Sequence, residues 1–138
     1  VSALGSKTSR TARFIVALAL LSAMSHSDLV ECYYEAIDAN DGEALESVLA
    51  PGFRHNRPDR TFDGRDRFLE FMLEERPHTE TGHSVETVFV PDGEQPDDAD
   101  KVAVHGRLFE KDGSELFAFV DLFTVDEDGI TDLRTFTN

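Results

Sequence analysis

The chain has 138 residues, about one domain's worth, and its 40% hydrophobic residues, eleven Phe among them, can build a core. Its formal net charge is −15, from 13 basic and 28 acidic residues, so long-range repulsion opposes a nucleic acid or an anionic membrane as partner. Cys32 is the only cysteine, which excludes an intramolecular disulfide and argues against a thiolate metal site.

All 28 acidic residues fall after position 27, while Lys7, Arg10 and Arg13 precede it. Lysine occurs only at 7, 101 and 111, against ten arginines. An acid-rich, lysine-poor surface suits a halophilic, high-salt cytoplasm, where salt screens self-repulsion, and a cytoplasmic location is the expectation. Residues 1–26 are set apart as an N-terminal extension and residues 27–138 as the domain. Within the extension, basic residues precede an eight-residue apolar run, Phe14 to Leu21. That outline fits a signal peptide, which would export the protein, but no clean small-residue cleavage site follows. A dispensable extension or an extra helix are the other readings. Eight apolar residues cannot span a bilayer, which takes about 20.

Ser27 is placed to cap a first helix over residues 28–39, with Leu29, Cys32, Tyr33, Ala36 and Ile37 on one face. Asn40 and Glu43 have capping-box spacing for a second helix through Leu49, ended by Pro51-Gly52. A short strand is expected at 53–57, then a turn-rich stretch. Asp63 can cap a third helix over 65–76, with Phe68, Leu69, Met72 and Leu73 as its apolar stripe and Pro77 as its stop. The period then turns from helical to alternating. Strands are expected at 82–90, 101–110, 114–125 and 130–137, with an acidic loop from Pro91 to Asp100.

Lys111-Asp112-Gly113 and Glu127-Asp128-Gly129 both suit three-residue hairpin loops with Gly in the left-handed conformation. On that register His105 faces Phe119, Ala103 faces Asp121, and Asp121 faces Thr135. The odd-numbered residues of the last three strands then share one wall: His105, Arg107, Phe109, Phe117, Phe119, Asp121, Phe123, Leu133 and Thr135. Val102, Val104, Leu108, Leu116, Val120, Leu122, Arg134 and Phe136 take the opposite face. Three helices cover one face of such a sheet; the other needs a second subunit, so a homodimer through the sheet is expected.

Several motifs then stand in a telling order: Tyr33-Tyr34 with Asp38-Ala39-Asn40-Asp41-Gly42; Phe53-Arg54-His55-Asn56; and Phe62-Asp63-Gly64-Arg65-Asp66. Val104-His105-Gly106-Arg107, Phe119-Val120-Asp121-Leu122-Phe123 and Asp128-Gly129-Ile130-Thr131-Asp132-Leu133-Arg134 come after them. The succession resembles the nuclear transport factor 2-like superfamily, in particular its SnoaL-like branch, over residues 27–138. The resemblance implies an α+β fold: a cone-shaped, curved mixed β-sheet wrapped by three N-terminal helices around one pocket. That fold hosts isomerases, cyclases, dehydratases and binding modules, so it does not choose among them.

Ketosteroid isomerases of this fold use a Tyr and a protonated Asp as oxyanion donors and a second Asp as base. The resemblance carries Tyr33 to the Tyr position and Asp121 to that of the protonated Asp. The base position falls on Arg57, which has the opposite charge, so that isomerisation by that route is not expected.

Each candidate has a functional and a structural reading. Asp121, flanked by Phe119 and Phe123, is either a raised-pKa acid or the ion-pair partner of Arg57 or Arg107. His105 either shares a proton with Asp121 or is a hydrogen-bonded wall residue. His55, beside Asn56, binds ligand or lies at the rim, and Tyr33 contacts ligand or fills the core. His26, His55, His78, His83 and His105 show no metal-ligand spacing, and Asp97, Asp98 and Asp100 lack the Gly and distal Glu of a calcium loop. No cofactor is expected.

Two functions remain open. One is cofactor-free acid–base catalysis on a small apolar carbonyl compound, with Asp121, His105 and Tyr33 catalytic and with His55, Arg57, Arg107, Phe119 and Phe123 binding the small molecule. The other is a non-catalytic ligand-binding or dimerisation module with Arg57–Asp121 as a structural ion pair.

Overall fold

The computed structural model describes residues 24–91 and 100–138. Most of the N-terminal extension and nearly all of the acidic loop after Pro91 therefore lie outside the described residues. The elements run α1 (His26–Asp38), α2 (Gly42–Val48), β1 (Leu49–Asn56), β2 (Thr61–Asp63), α3 (Arg65–Glu70), β3 (Gly82–Phe89), β4 (Asp100–Phe109), β5 (Glu115–Asp126) and β6 (Gly129–Thr137). The strands form one mixed sheet in the order β2-β1-β6-β5-β4-β3, with β1 and β6 parallel and every other pair antiparallel. Register shifts interrupt four of the five ladders. Each such bulge bends its strand and adds twist, which curves the sheet.

The helix signals hold with changed caps. Ser25, not Ser27, caps α1 through Asp28 N–H. Asn40 does not open α2: it is left-handed (φ 53), and it closes α1 with hydrogen bonds from Asn40 N to Ile37 O and Asp41 N to Ala36 O. Asp41 then caps α2 through Ala44 N–H. Asp63 caps nothing, because it is the last residue of β2, paired with Arg54. Gly64 opens α3 without a side-chain cap.

The third helical stretch is α3 continued by a π-turn over Phe71–Glu75. The extra residue in a π-turn rotates the succeeding side chains about the helix axis. Phe71 and Met72 are buried with Phe68, and Leu73 is exposed. The three-residue strand β2 lies in a stretch expected to be only turns; Phe62 gives it a reason, since it alone of the three is buried.

Both hairpin turns form, and a bulge overturns part of the register. Glu110 N–H bonds to Ser114 O, and Gly113 has φ 90, as a three-residue loop requires. Between Leu108 and Phe109 the β4–β5 ladder slips by one residue. Beyond it Asp121 pairs with Val104, and His105 pairs with Val120. A one-residue slip sends every later side chain of the strand to the opposite face. Val102, Val104 and Gly106 therefore join Phe119, Asp121 and Phe123 on the concave face, while His105 and Arg107 turn outward. The second hairpin closes tighter than expected, with Asp126 paired to Gly129, but a compensating slip at Thr124/Val125 restores the expected pairing of Asp121 with Thr135.

The core lies between this concave face and the helices. α1 buries Leu29, Val30, Tyr33, Tyr34, Ala36 and Ile37. Phe68 of α3 packs against Phe53 at 5.0 Å, Phe62 at 5.9 Å and Tyr33 at 6.4 Å between ring centroids. The convex face carries exposed Leu116, Val120, Leu122, Phe136 and, toward β3, Phe89. Among the described residues no helix is long and apolar enough to cross a membrane.

Candidate functional site

Asp121 stands at the centre of the concave face, 5% exposed, between Phe119 and Phe123, which are 4% and 0% exposed. Strand alternation puts all three on the same side of β5. A lone carboxylate there would be costly to ionise, and two hydrogen bonds offset that cost. The Tyr34 hydroxyl donates to Oδ2 at 2.6 Å, and the Thr135 hydroxyl donates to Oδ1 at 2.5 Å. Burial holds the Asp121 carboxyl above its ordinary range, while the Thr135 and Tyr34 hydrogen bonds pull it back.

The hydrogen-bonded line continues across the sheet. Thr135 Oγ1 lies 2.8 Å from His55 Nε2. β6 sits between β5 and β1, so Asp121, Thr135 and His55 come from three neighbouring strands. His55 is 7% exposed, and rings surround it: Phe68 at 5.4 Å, Phe53 at 6.2 Å and Phe62 at 6.4 Å. Burial, with the Arg57 charge in addition, lowers its pKa to about 3 and keeps the ring neutral at physiological pH. Its Nδ1 is buried with no hydrogen-bond partner.

A second pair adjoins the first. Asp38, at the end of α1, accepts from His83 N–H at 2.9 Å and contacts His83 Nδ1 at 2.6 Å. The His83 ring lies 5.0 Å from that of Tyr34 and 5.7 Å from that of Phe119.

The phenol on Asp121 is Tyr34 and not Tyr33. Both tyrosines are 3% exposed, and successive residues on a helix point about 100° apart. Tyr33 packs edge-on against Phe123 at 5.4 Å and stacks with Phe68. Burial first, and Asp121 second, hold both phenols well above their ordinary pKa.

The remaining candidates separate. His105 faces outward, 3.3 Å from Glu86, and cannot pair with Asp121 across the sheet. Arg107, on the same face, bridges Glu86 at 2.8 Å and Glu115 at 2.7 Å, so it does not line the concave wall. No ion pair joins Arg57 to Asp121 among the described residues. The Arg57 Nε meets Asp59 at 3.2 Å, and its guanidinium lies over the Phe62 and Phe71 rings at 5.9 and 5.5 Å. The tight turn closed by Arg57 N–H to Arg60 O draws Arg57 toward Asp59.

Tyr34, Thr135, Asp38 and His83 were missed as site residues. The Asp121–Thr135 pairing was legible in the second hairpin, yet a Thr opposite a buried Asp was not counted as its partner. An open groove of about 620 Å³ lies elsewhere, lined by residues 77–81 and by Glu110, Lys111 and Asp112.

Solved structures share this fold. A proposed polyketide cyclase from Sinorhizobium meliloti aligns with a TM-score of 0.65 at 19% identity, covering 84% of this chain and 98% of its own. A proposed ketosteroid isomerase from Kribbella flavida gives 0.65 at 19%, covering 80% of this chain and 76% of its own. Nuclear transport factor 2 from Cryptosporidium parvum gives 0.67 at 19%, covering 81% and 90%. No curated protein sequence matches the chain at a significant level. Residues 30–133 match the family model of the SnoaL-like domain, and the chain belongs to that family.

Proposed function

We propose that residues 27–138 form a small-molecule-binding SnoaL-like domain that performs cofactor-free acid–base chemistry, of isomerase or cyclase type, on a small apolar carbonyl compound. The observation that carries this reading is the buried Asp121 carboxyl, held by Tyr34 and Thr135 within a Phe-lined wall. A ligand oxygen arriving beside Tyr34 would take over the hydrogen bond now given to Asp121. The Asp121 carboxylate, released on that side, would take the proton from the carbon beside the carbonyl, while Tyr34 stabilises the charge that develops on the oxygen as the enolate forms. Phe119 and Phe123 would form the apolar seat, and His105 and Arg107 would take no part. The names of the polyketide cyclase and ketosteroid isomerase neighbours agree with this reaction class.

Solvent deuterium exchange into 2-tetralone, an enolisable ketone, tests it. Exchange should exceed buffer with the native protein and fall at least about 10-fold in Asp121→Asn and Tyr34→Phe, a share ordinary for one acid–base or oxyanion group. Binding without exchange would leave the second reading, a non-catalytic ligand module. That reading is favoured by the engagement of both Asp121 oxygens by the protein's own hydroxyls.

The domain is further proposed to be a homodimer through the convex face. Val120 pairs with Phe136, and Leu122 with Ala103, which in turn pairs with Phe89, so the exposed apolar residues adjoin one another. A contiguous patch of this kind marks an interaction surface.

A further inference from the structure

We propose that Thr135 is a positioning residue that sets the tautomer of His55, so that the bare Nδ1 of His55 accepts a hydrogen bond from a ligand hydroxyl or enol. The inference deepens the proposed site and rests on the reading that a small molecule binds there.

The tautomer is fixed by a count of protons along the line. An ionised Asp121 brings none and the Thr135 hydroxyl brings one, so that proton is given to Asp121 Oδ1. Toward its other neighbour, the same oxygen can only accept. His55 Nε2, 2.8 Å away, must therefore carry hydrogen and donate. A neutral imidazole has a single N–H, so Nδ1 is left as an acceptor. The ring is neutral because no acceptor stands at Nδ1 to receive a second N–H, and burial with the nearby Arg57 charge opposes protonation.

The resulting arrangement follows the logic of a carboxylate orienting a histidine in a catalytic triad, with a hydroxyl interposed. Tyr34 holds the far oxygen of Asp121, and His83 and Arg57 are the other charged or titratable groups that act on it. The other five polar side-chain atoms of the line are paired, and the last, His55 Nδ1, is buried and unpaired. Buried polar atoms are nearly always satisfied. An orphan acceptor at the end of a paired line, ringed by Phe53, Phe62 and Phe68, suits a ligand with an apolar or aromatic body and one donor group.

The test is long-range ¹H–¹⁵N correlation on the full chain with ¹⁵N-labelled histidine at pH 8, which distinguishes the two neutral tautomers. The native protein should show His55 with hydrogen on Nε2. Thr135→Val should convert it to a mixture or to the Nδ1–H form, and Thr135→Ser should restore the native signature. A charged or Nδ1–H His55 in the native protein overturns the proposal without any variant, as does a Thr135→Val spectrum unchanged at His55.

The ligand half uses 2-naphthol against its methyl ether. The naphthol should move the His55 Nδ1 resonance and bind at least about 10-fold more tightly, a ratio ordinary for one buried hydrogen bond. Equal binding of the two overturns the proposal while leaving the small-molecule reading intact. Absence of binding by either overturns the ligand half together with that reading, while the tautomer result is judged separately.

Discussion

Asp121→Asn removes one titration from the middle of the fold and should change how stability depends on pH. The carboxyl ordinarily titrates at 3.8, and burial raises it in the native state. Between 3.8 and that raised value, the folded chain holds a proton that the unfolded chain has released. Stability must then fall as pH rises through this window, by about 1.4 kcal/mol for each pH unit that separates the two values. His55 acts in the opposite sense. Its ordinary value of 6.5 is lowered to about 3, so the unfolded chain takes up a proton that the folded chain refuses. Stability is full above 6.5 and falls as pH drops, by a total of about 5 kcal/mol on reaching pH 3. The two slopes overlap and partly cancel in the native protein, so the difference between native and variant is the informative quantity.

Urea unfolding at half-unit intervals from pH 4 to 8 supplies that difference, because surface carboxylates common to both proteins cancel. Asparagine keeps the shape of the side chain, and it can accept from one neighbouring hydroxyl. The native-minus-variant stability should decline as pH rises from 4 and level off once Asp121 is ionised in both states. His55→Gln should do the reverse, removing the loss on acidification. A native-minus-Asn difference that stays flat or climbs with pH would refute the assignment of a raised Asp121 carboxyl.

The packing sets four further outcomes. Tyr34→Phe leaves one oxygen of a buried carboxylate unpaired and should cost about 1–3 kcal/mol at neutral pH, read by urea unfolding. Phe123→Ala, at a fully buried ring in contact with both tyrosines, should cost about 3–5 kcal/mol by the same measurement. Gly106→Ala should be disproportionately damaging, about 1–3 kcal/mol or more. An added methyl would sit 2.6 Å from Ser84 O and 2.7 Å from the Phe119 ring, and the backbone oxygen cannot rotate away. Val120→Asp, on the convex face, should turn a dimer into a monomer in sedimentation at high salt; a native protein that sediments as a monomer there overturns the dimer.

The fold was legible because its signals were local and repeated. The helical period of α1 and the two Gly-bearing turns each specify one element, and the order of elements specifies the architecture; Pro51-Gly52, expected to end α2, lies instead inside β1, and α2 stops at Val48. The parity of β4 was not legible from the turn. Lys111-Asp112-Gly113 formed as expected, and one bulge between Phe109 and Leu108, at the first step into β4, reversed everything beyond it. A different signal pointed the right way: Val102 and Val104 alternate with Ala103, His105 and Arg107, and the charged set belongs in water. Burial preference carries more free energy than turn geometry, so it should have prevailed. The choice between Tyr33 and Tyr34 had no such arbiter. Both are buried, and only the tilt of α1 against β5 decides which hydroxyl reaches Asp121.

The energetics of the polar line bear on what it is for. At neutral pH a carboxylate in this wall costs stability even with two hydroxyls on it, because burial still outweighs them in setting its pKa. A wall already built from Phe119, Phe123, Val104 and Leu133 could be closed by another apolar side chain at less cost. His55 adds to the expense, since its unpaired Nδ1 forgoes a hydrogen bond that solvent would supply. Arg57 is turned aside to Asp59, and its charge acts on Asp121 less than the Thr135 and Tyr34 hydrogen bonds do. The line therefore does not behave as a stabilising ion-pair network. It behaves as a set of proton donors and acceptors held in fixed order at a standing cost, the arrangement expected where a ligand, rather than the fold, completes the hydrogen bonding.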